Sequence, residues 1–509
     1  MTKIKYTFAF LLGVVLLLNS CYREAQLIDF ESDKFGVHVL KINSSFGFTD
    51  LTDNFILYTL GADTISNFSP EIQFVNYSSI SFNSHELVNN HVNNLGNVWT
   101  NHPFEIIAKS EESTDTFQLV FTRIPLIQIT TDEIIQDEPK VFARISLQFN
   151  QDSESSSANR TMYTYAGIEI RGALSQIYEK KSFGIELWED KYGDDYSLSL
   201  LGMSHAEDWI LDAMYIDDLR MRNKLSFELW EKLSTVPSED NKPEVVPGIQ
   251  CEFVELFINN RYYGIYSLDE KLDEKKLQFS DDQGELGGVL YKAIRWSDGA
   301  TRFNSYNSSP PEDSFWDGWE IIYPKDNFAW EPLDKLRQEV VLSDDEDFKT
   351  AITSLFDIDN AIDYYLFINL LFAADNAGKN SYLARYTDES RFFYIPWDIE
   401  ASWGLAWDRT KVDPNGLVSN NLFDRLIETN AGGFNEKLKT QWFDRRNNVF
   451  SEAALHQTID EYYQILKNSG VIERENVRWD EYTIDLDDEY VYTKNWISRR
   501  LEYLDEHFE

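Results

Sequence analysis

The sequence predicts an α+β protein in two unequal parts. A small all-β domain of the immunoglobulin-like sandwich type is expected at residues 22–125, and a larger bilobal domain of strands followed by helices at 126–509. Three observations predict this. The 509 residues exceed what one simple core absorbs. From Gly36 to about Arg123, short apolar runs (VHVLKI, FILYTL, EIQFVNY, FEIIAK, TFQLVF) alternate with Asn, Ser, Gly and Asp, the texture of short strands and turns. Beyond Asp357 the apolar spacing becomes mostly helical.

The first 21 residues, MTKIKYTFAFLLGVVLLLNSC, read as an export signal. Lys3 and Lys5 give a basic start, Phe8 to Leu18 an apolar run too short for a stop-transfer helix, and Ser20 a small residue before Cys21. The cysteine stands where a bacterial lipobox carries its lipidated residue. Cys21 is therefore the expected lipid anchor of an exported, membrane-attached protein, and residues 22 to about 34 its tether. Only Cys21 and Cys251 are present, so a lipidated Cys21 leaves no disulfide, and a zinc-thiolate site is excluded. Asp and Glu number 87 against 46 Lys and Arg, a net charge of −41, which excludes nucleic acid as a partner.

In the larger part, VFARISLQF, YAGIEIRG and KSFGIELWE read as strands, with the acidic, Ser-rich DSESSSANR as an exposed turn. DWILDAMYIDDLRMRNKLSFELWEKL carries apolar residues at helical spacing for about two helices, and Asp217, Arg222, Asn223 and Glu228 fall within it. CEFVELFINNRYYGIYSLDEKL is a hairpin turning at Asn259-Asn260, with Glu270 just beyond. Residues 281–330, rich in Gly, Pro, Ser and Trp, read as long loops, where Trp316, Trp319 and Trp330 invite a sugar-facing reading against the commoner buried one. The run DDED at 344–347 reads as a helix N-terminus rather than a calcium loop.

The most informative stretch is NLLFAADNAGKNSYLARYTDESRFFYIPWDIEASWG, residues 369–404. Asp357 or Asp359 caps a helix that is apolar nearly all round and leads to Asp375. Gly378 gives the loop DNAGKN conformational freedom. SYLARY and RFFYIPW form two short strands, and Asp398 follows the second. This is the layout of a protein-kinase catalytic half. An aspartate orients a substrate hydroxyl and takes its proton. An asparagine and a second aspartate offer oxygen ligands to Mg2+ or Mn2+ on the phosphates. Upstream, Arg171-Gly172 opens a loop, RGALSQIYEKK, suited to covering phosphates although poor in glycine. Lys180 and Lys181 enter the next strand, where strand alternation admits only one of them to a cleft.

On IEIRGALSQIYEKKSFGIEL, LLGMSHAEDWIL, MYIDDLRMRN, VELFINNRYYGIYSLDEKLD, WEIIYP, ADNAGKNSYL, YIPWDIEASWG and KNWISRRLEYLDEHF, the chain resembles the CotH kinase family over about residues 126–509. The resemblance implies an atypical kinase-like fold that uses ATP to phosphorylate exported proteins. It implies Asp375 as the catalytic aspartate, Asn380, Asp398 and Glu400 around the metal, and Arg171, Lys180, Lys181 and Glu270 around the nucleotide. Ala173 and Leu174 depart from the family's small-residue loop, and Glu400 stands where Asp is usual. The alternative is an inactive kinase-like surface module for binding or assembly.

Overall fold

The computed structural model describes residues 35–150, 159–172, 174–234, 248–279, 288–324 and 328–509. The export signal, Cys21 and most of the Ser-rich stretch lie outside these residues. Content is mixed, with sheets toward the N-terminus and helices toward the C-terminus.

The first unit holds a six-stranded sheet in the order Phe48–Asp50, Phe55–Thr59, Thr114–Thr122, Pro103–Lys109, Ser79–Phe82, His85–Glu86. A four-stranded sheet, Ser45–Phe46, Leu40–Ile42, Glu71–Phe74, His91–Val92, accompanies it. Alternation drives the packing: along Pro103–Lys109, Phe104, Ile106 and Ala108 are buried between exposed or half-buried neighbours. The unit does not hang free. Phe48, Leu57 and Val120 form one core cluster with Leu126, Phe257 and Tyr262 of the next unit. Asp50 Oδ2 accepts the Tyr262 amide at 2.6 Å, and Asn260 Nδ2 donates to the Val37 and Thr49 carbonyls.

The second unit is a closed seven-stranded barrel: Leu126–Thr130, Val141–Asn150, Asn159–Arg171, Ser182–Trp188, Asp208–Asp212, Arg261–Glu270 and Cys251–Ile258. A parallel pairing of Leu126–Thr130 with Cys251–Ile258 closes it. The hairpin turns at Asn259-Asn260 as expected, both residues at positive φ, with Ile258 opposite Arg261. One expectation is corrected. Asp208–Asp212 is a strand, and the helix runs only from Arg222 to Leu233. Trp209, Ile210 and Leu211 are all buried, so the strand is apolar on both faces and its periodicity mimics a helix.

Residues 289–323 also depart from the loop reading. Val289–Ala293, Phe315–Trp316 and Trp319–Tyr323 join Ser381–Arg385 and Phe393–Pro396 in a five-stranded sheet. Trp316, Trp319 and Trp330 are core residues, at most 3% exposed, which removes the sugar-facing reading. Helices follow: Glu331–Leu342, Asp345–Leu355 capped by Asp344, and Ile358–Leu371 capped by Asp357. Asn421–Thr429, Phe434–Arg446, Glu452–Ser469, Val471–Arg478 and Leu486–Phe508 complete the chain. Among the described residues no helix is long and apolar enough to cross a membrane.

Candidate functional site

The buried helix Ile358–Leu371 stops at Phe372, whose left-handed backbone turns the chain. A single 3-10 turn, Asp375–Ala377, carries the first aspartate half-exposed. Lys379 Nζ holds the Asp375 carboxylate at 2.8 Å. Asn376 anchors the loop: its buried Nδ2 donates to the Asn380 carbonyl at 2.7 Å and to the Trp397 carbonyl at 2.9 Å. The Trp397 amide donates back to the Asn380 carbonyl. The hairpin Ser381–Arg385/Phe393–Pro396 pairs Ser381 with Pro396, so Asn380 and Asp398 emerge side by side. Asn380 Nδ2 lies 3.3 Å from the Asp398 carbonyl oxygen. Both residues have left-handed backbone, φ 54° and 50°. For an aspartate that conformation is uncommon and is kept where surrounding bonds impose it.

Gly378 works differently from the expectation. Its φ is −153°, so no left-handed freedom is used. A Cβ there would sit 2.3 Å from the Trp296 ring and 2.5 Å from Arg302 Cγ, so glycine is required by close packing.

A cleft of about 150 Å³ opens between barrel and hairpin, lined among others by Arg171, Ser175, Asp212, Asp269, Asp398 and Glu400. Asn223, at the start of the helix Arg222–Leu233, bridges its walls. Its Nδ2 donates to Asp212 Oδ2 at 3.0 Å, and its Oδ1 accepts the Ile399 amide at 2.7 Å. The carboxylates are crowded together: Asp269 is buried, Asp212 and Glu400 are half-buried, and Asp398 keeps an exposed face. Burial, and then the Asp212 charge, hold the Asp398 carboxyl up at about 6. The same two causes push Glu400 and Asp269 well above the usual range. Glu400 Oε1 is buried without a hydrogen-bond partner among the described residues.

The donor set is of the kind a hard divalent cation takes: carboxylate and amide oxygens, with like charges crowded into one cleft. Among the described residues no group of three or more Asp, Glu, His or Cys side chains is placed to hold a metal ion. Magnesium does not demand one, because it commonly takes one or two carboxylates with phosphate oxygens and water.

The expected nucleotide residues divide. Arg171 lines the cleft, its guanidinium 5.9 Å from the Trp397 ring centre. Lys180 does not reach it. Its Nζ is fully buried and donates to the Ala213 and Ile265 carbonyls at 2.8 and 2.5 Å and to Glu475 Oε2 at 3.0 Å. Arg220 Nε holds the other Glu475 oxygen at 2.8 Å. Lys181 turns away to the carbonyls of Gln176 and Tyr178. Glu270 is buried, takes the Ser204 and Gln250 amides and pairs with Lys276 at 2.6 Å, so it shapes the barrel rim. Glu228 pairs with Lys232 and Tyr462 rather than with either barrel lysine. Arg222 is committed to Asp217 and Glu489. Sequence reasoning passed over Asp212, hidden in the segment read as helix, and Asn376, whose Asn-loop position was the available signal. It also passed over Glu475, for which no local signal exists.

Comparison with known proteins bears on this arrangement. The family model described as CotH kinase protein matches residues 168–504, taking in the cleft, the hairpin and the C-terminal helices. The inner spore coat protein H of Bacillus subtilis (strain 168) is 25% identical over 271 residues, which is 50% of this chain and 66% of that protein, just under two thirds of its length. With two thirds of its length inside the family model, and with Arg171, Asp375, Asn380 and Asp398 all in the matched part, this chain belongs to the CotH kinase family.

Proposed function

We propose that this protein is an exported, membrane-anchored atypical protein kinase that transfers the γ-phosphate of ATP to Ser or Thr of exported proteins. In this reading the barrel and the hairpin-bearing helical part are the two lobes of a kinase-like domain, and the lipid anchor is Cys21. The observation that carries the proposal is the pair Asp398 and Glu400 in one cleft with Arg171, with Asn380 beside Asp398 and Asp375 near enough for its charge to act on Asp398. The relative's name places that protein in a spore coat, which supports a surface site of action.

The chemistry follows from the side chains. Asp375, oriented by Lys379, accepts the proton of an acceptor hydroxyl as its oxygen attacks the γ-phosphorus. The bond to the bridging oxygen breaks, and ADP leaves. Asn380, Asp398 and Glu400 would hold Mg2+ or Mn2+, which supplies charge neutralisation on the phosphates. Arg171 approaches the phosphates from the opposite wall. Ligand sites usually span roughly 300–1,000 Å³, so the cleft of about 150 Å³ must open for a nucleotide to enter.

The small cleft and the commitment of both barrel lysines to other partners favour a second reading, a kinase-like module that binds without turnover. Transfer of labelled γ-phosphate from ATP to a generic acceptor and to the protein itself, with Mg2+ or Mn2+, separates the two. Label in the wild-type protein and none in Asp398→Ala supports the kinase. No label and no nucleotide binding in either leaves the binding module.

A further inference from the structure

The family position that should place a lysine on the phosphates is occupied by residues turned elsewhere. The described residues contain another partly buried cation beside the cleft. Lys292 lies on the strand Val289–Ala293, opposite Tyr382 of the hairpin. Its Nζ sits over the Tyr382 ring at 5.4 Å and the Trp397 ring at 5.2 Å. Arg171 reaches the same Trp397 from the barrel. Among the described residues neither Lys292 nor Arg171 makes a side-chain hydrogen bond or ion pair, unlike Lys180, Lys181, Arg220 and Arg222. Aromatic faces attract an ammonium, but they cannot satisfy its three N–H donors. Burial, with the neighbouring Arg171 charge, lowers the Lys292 ammonium to about 8. Two cations share one indole with no hydrogen-bonded acceptor, and the Glu320 and Asp398 charges act on Lys292 only from a distance, so an anion between the two cations would be held by both.

We infer that Arg171 and Lys292 form the polyphosphate-binding pair of this protein, with Lys292 of the five-stranded sheet taking the place of the barrel lysine. This deepens the kinase reading and rests on it for the identity of the anion as ATP. A phosphate chain held there would lie against Trp397, one residue before Asp398.

The test is calorimetric binding of two probes, Mg-ATP and tripolyphosphate, to the full chain in detergent. Lys292→Met is expected to weaken tripolyphosphate roughly 10- to 100-fold, the size of one or two charge-assisted hydrogen bonds. Lys292→Arg should stay within a few-fold of wild type, and Lys181→Met should retain its affinity. Where Lys292→Met fails to fold, Arg171→Leu at the cleft mouth carries the test with the same expected loss. Lys292→Met and Arg171→Leu binding tripolyphosphate as tightly as wild type, or Lys181→Met losing it, would overturn the inference and leave the kinase reading standing. Wild-type protein that binds tripolyphosphate but not Mg-ATP would instead support the anion pair and defeat the kinase reading. Binding of neither probe by wild type overturns both.

Discussion

Glu475→Gln tests whether the Lys180 network is structural or catalytic. Glu475 Oε2 accepts from Lys180 and from the Ile265 amide, and Oε1 accepts from Arg220. Lys180 and Glu475 are at most 2% exposed, as is the Arg220 side chain. A glutamine keeps the shape but removes the one anion bonded to these two cations among the described residues, and it turns one acceptor into a donor that faces another donor. Breaking a buried ionic network in this way costs about 3–5 kcal/mol. Lys180→Met is milder, because Arg220 and Glu475 remain a balanced pair. It removes a donor from two carbonyls, about 1–3 kcal/mol. The expected order is therefore wild type, Lys180→Met, Glu475→Gln, read from urea midpoints by tryptophan fluorescence at constant slope. Both variants should bind tripolyphosphate like wild type under conditions where they are folded. A Glu475→Gln protein as stable as wild type, or one that keeps its stability and loses nucleotide binding, would refute this account and return Lys180 to the phosphates.

Other outcomes follow from the same geometry. Asp375→Asn should lower phosphate transfer roughly 10²- to 10⁴-fold, with Mg-ATP affinity retained in calorimetry. Gly378→Ala should destabilise by about 1–3 kcal/mol, because its Cβ meets the Trp296 ring and Arg302; denaturant unfolding reads this directly. Asp363, beside Arg445, has its carboxyl raised to about 6 by burial. A folded value above the unfolded 3.8 adds stability below pH 4 that is lost as pH rises through 6. The stability of Asp363→Asn relative to wild type should thus climb by at most about 3 kcal/mol between pH 4 and 7, measured as paired urea curves. Deleting residues 22–123 should leave the barrel prone to aggregation, because Leu126, Phe257 and Tyr262 lose their cover; light scattering checks it.

Much of the candidate site was legible because it is local. Asp375, Asn380 and Asp398 lie within 24 consecutive residues, and a hairpin alone brings the last two together. The helix caps Asp344 and Asp357 and the Asn259-Asn260 turn are likewise set by neighbours along the chain. What sequence reasoning missed depends on closure over distance. Glu475 meets Lys180 across 295 residues. Asp212 ends a strand buried on both faces, where the period-2 signal vanishes. Lys292 sits in a stretch whose Gly, Pro and Ser content suggested loops, while its strand is fixed by pairing to Trp319–Tyr323 and Ser381–Arg385. The lysine pair at 180–181 was expected to send one side chain into the cleft, but Glu475 pulls one inward and the other folds back onto its own loop.

The helix Val471–Arg478 also sets an order of events for chain folding. Arg474 grips Glu255 on a barrel strand with both oxygens at 2.7–3.1 Å, and the next residue neutralises Lys180 and Arg220. Gly264 has no Cβ because one would lie 2.5 Å from the Glu475 carboxylate, so a small notch in the barrel is shaped for that helix. During synthesis the barrel strands emerge more than 200 residues before the helix that satisfies their buried charges. Until then closing the barrel around its apolar core would strand Glu255, Lys180 and Arg220 without their partners, which offsets part of the gain. A chain built this way delays commitment to its native state until almost all of it is made.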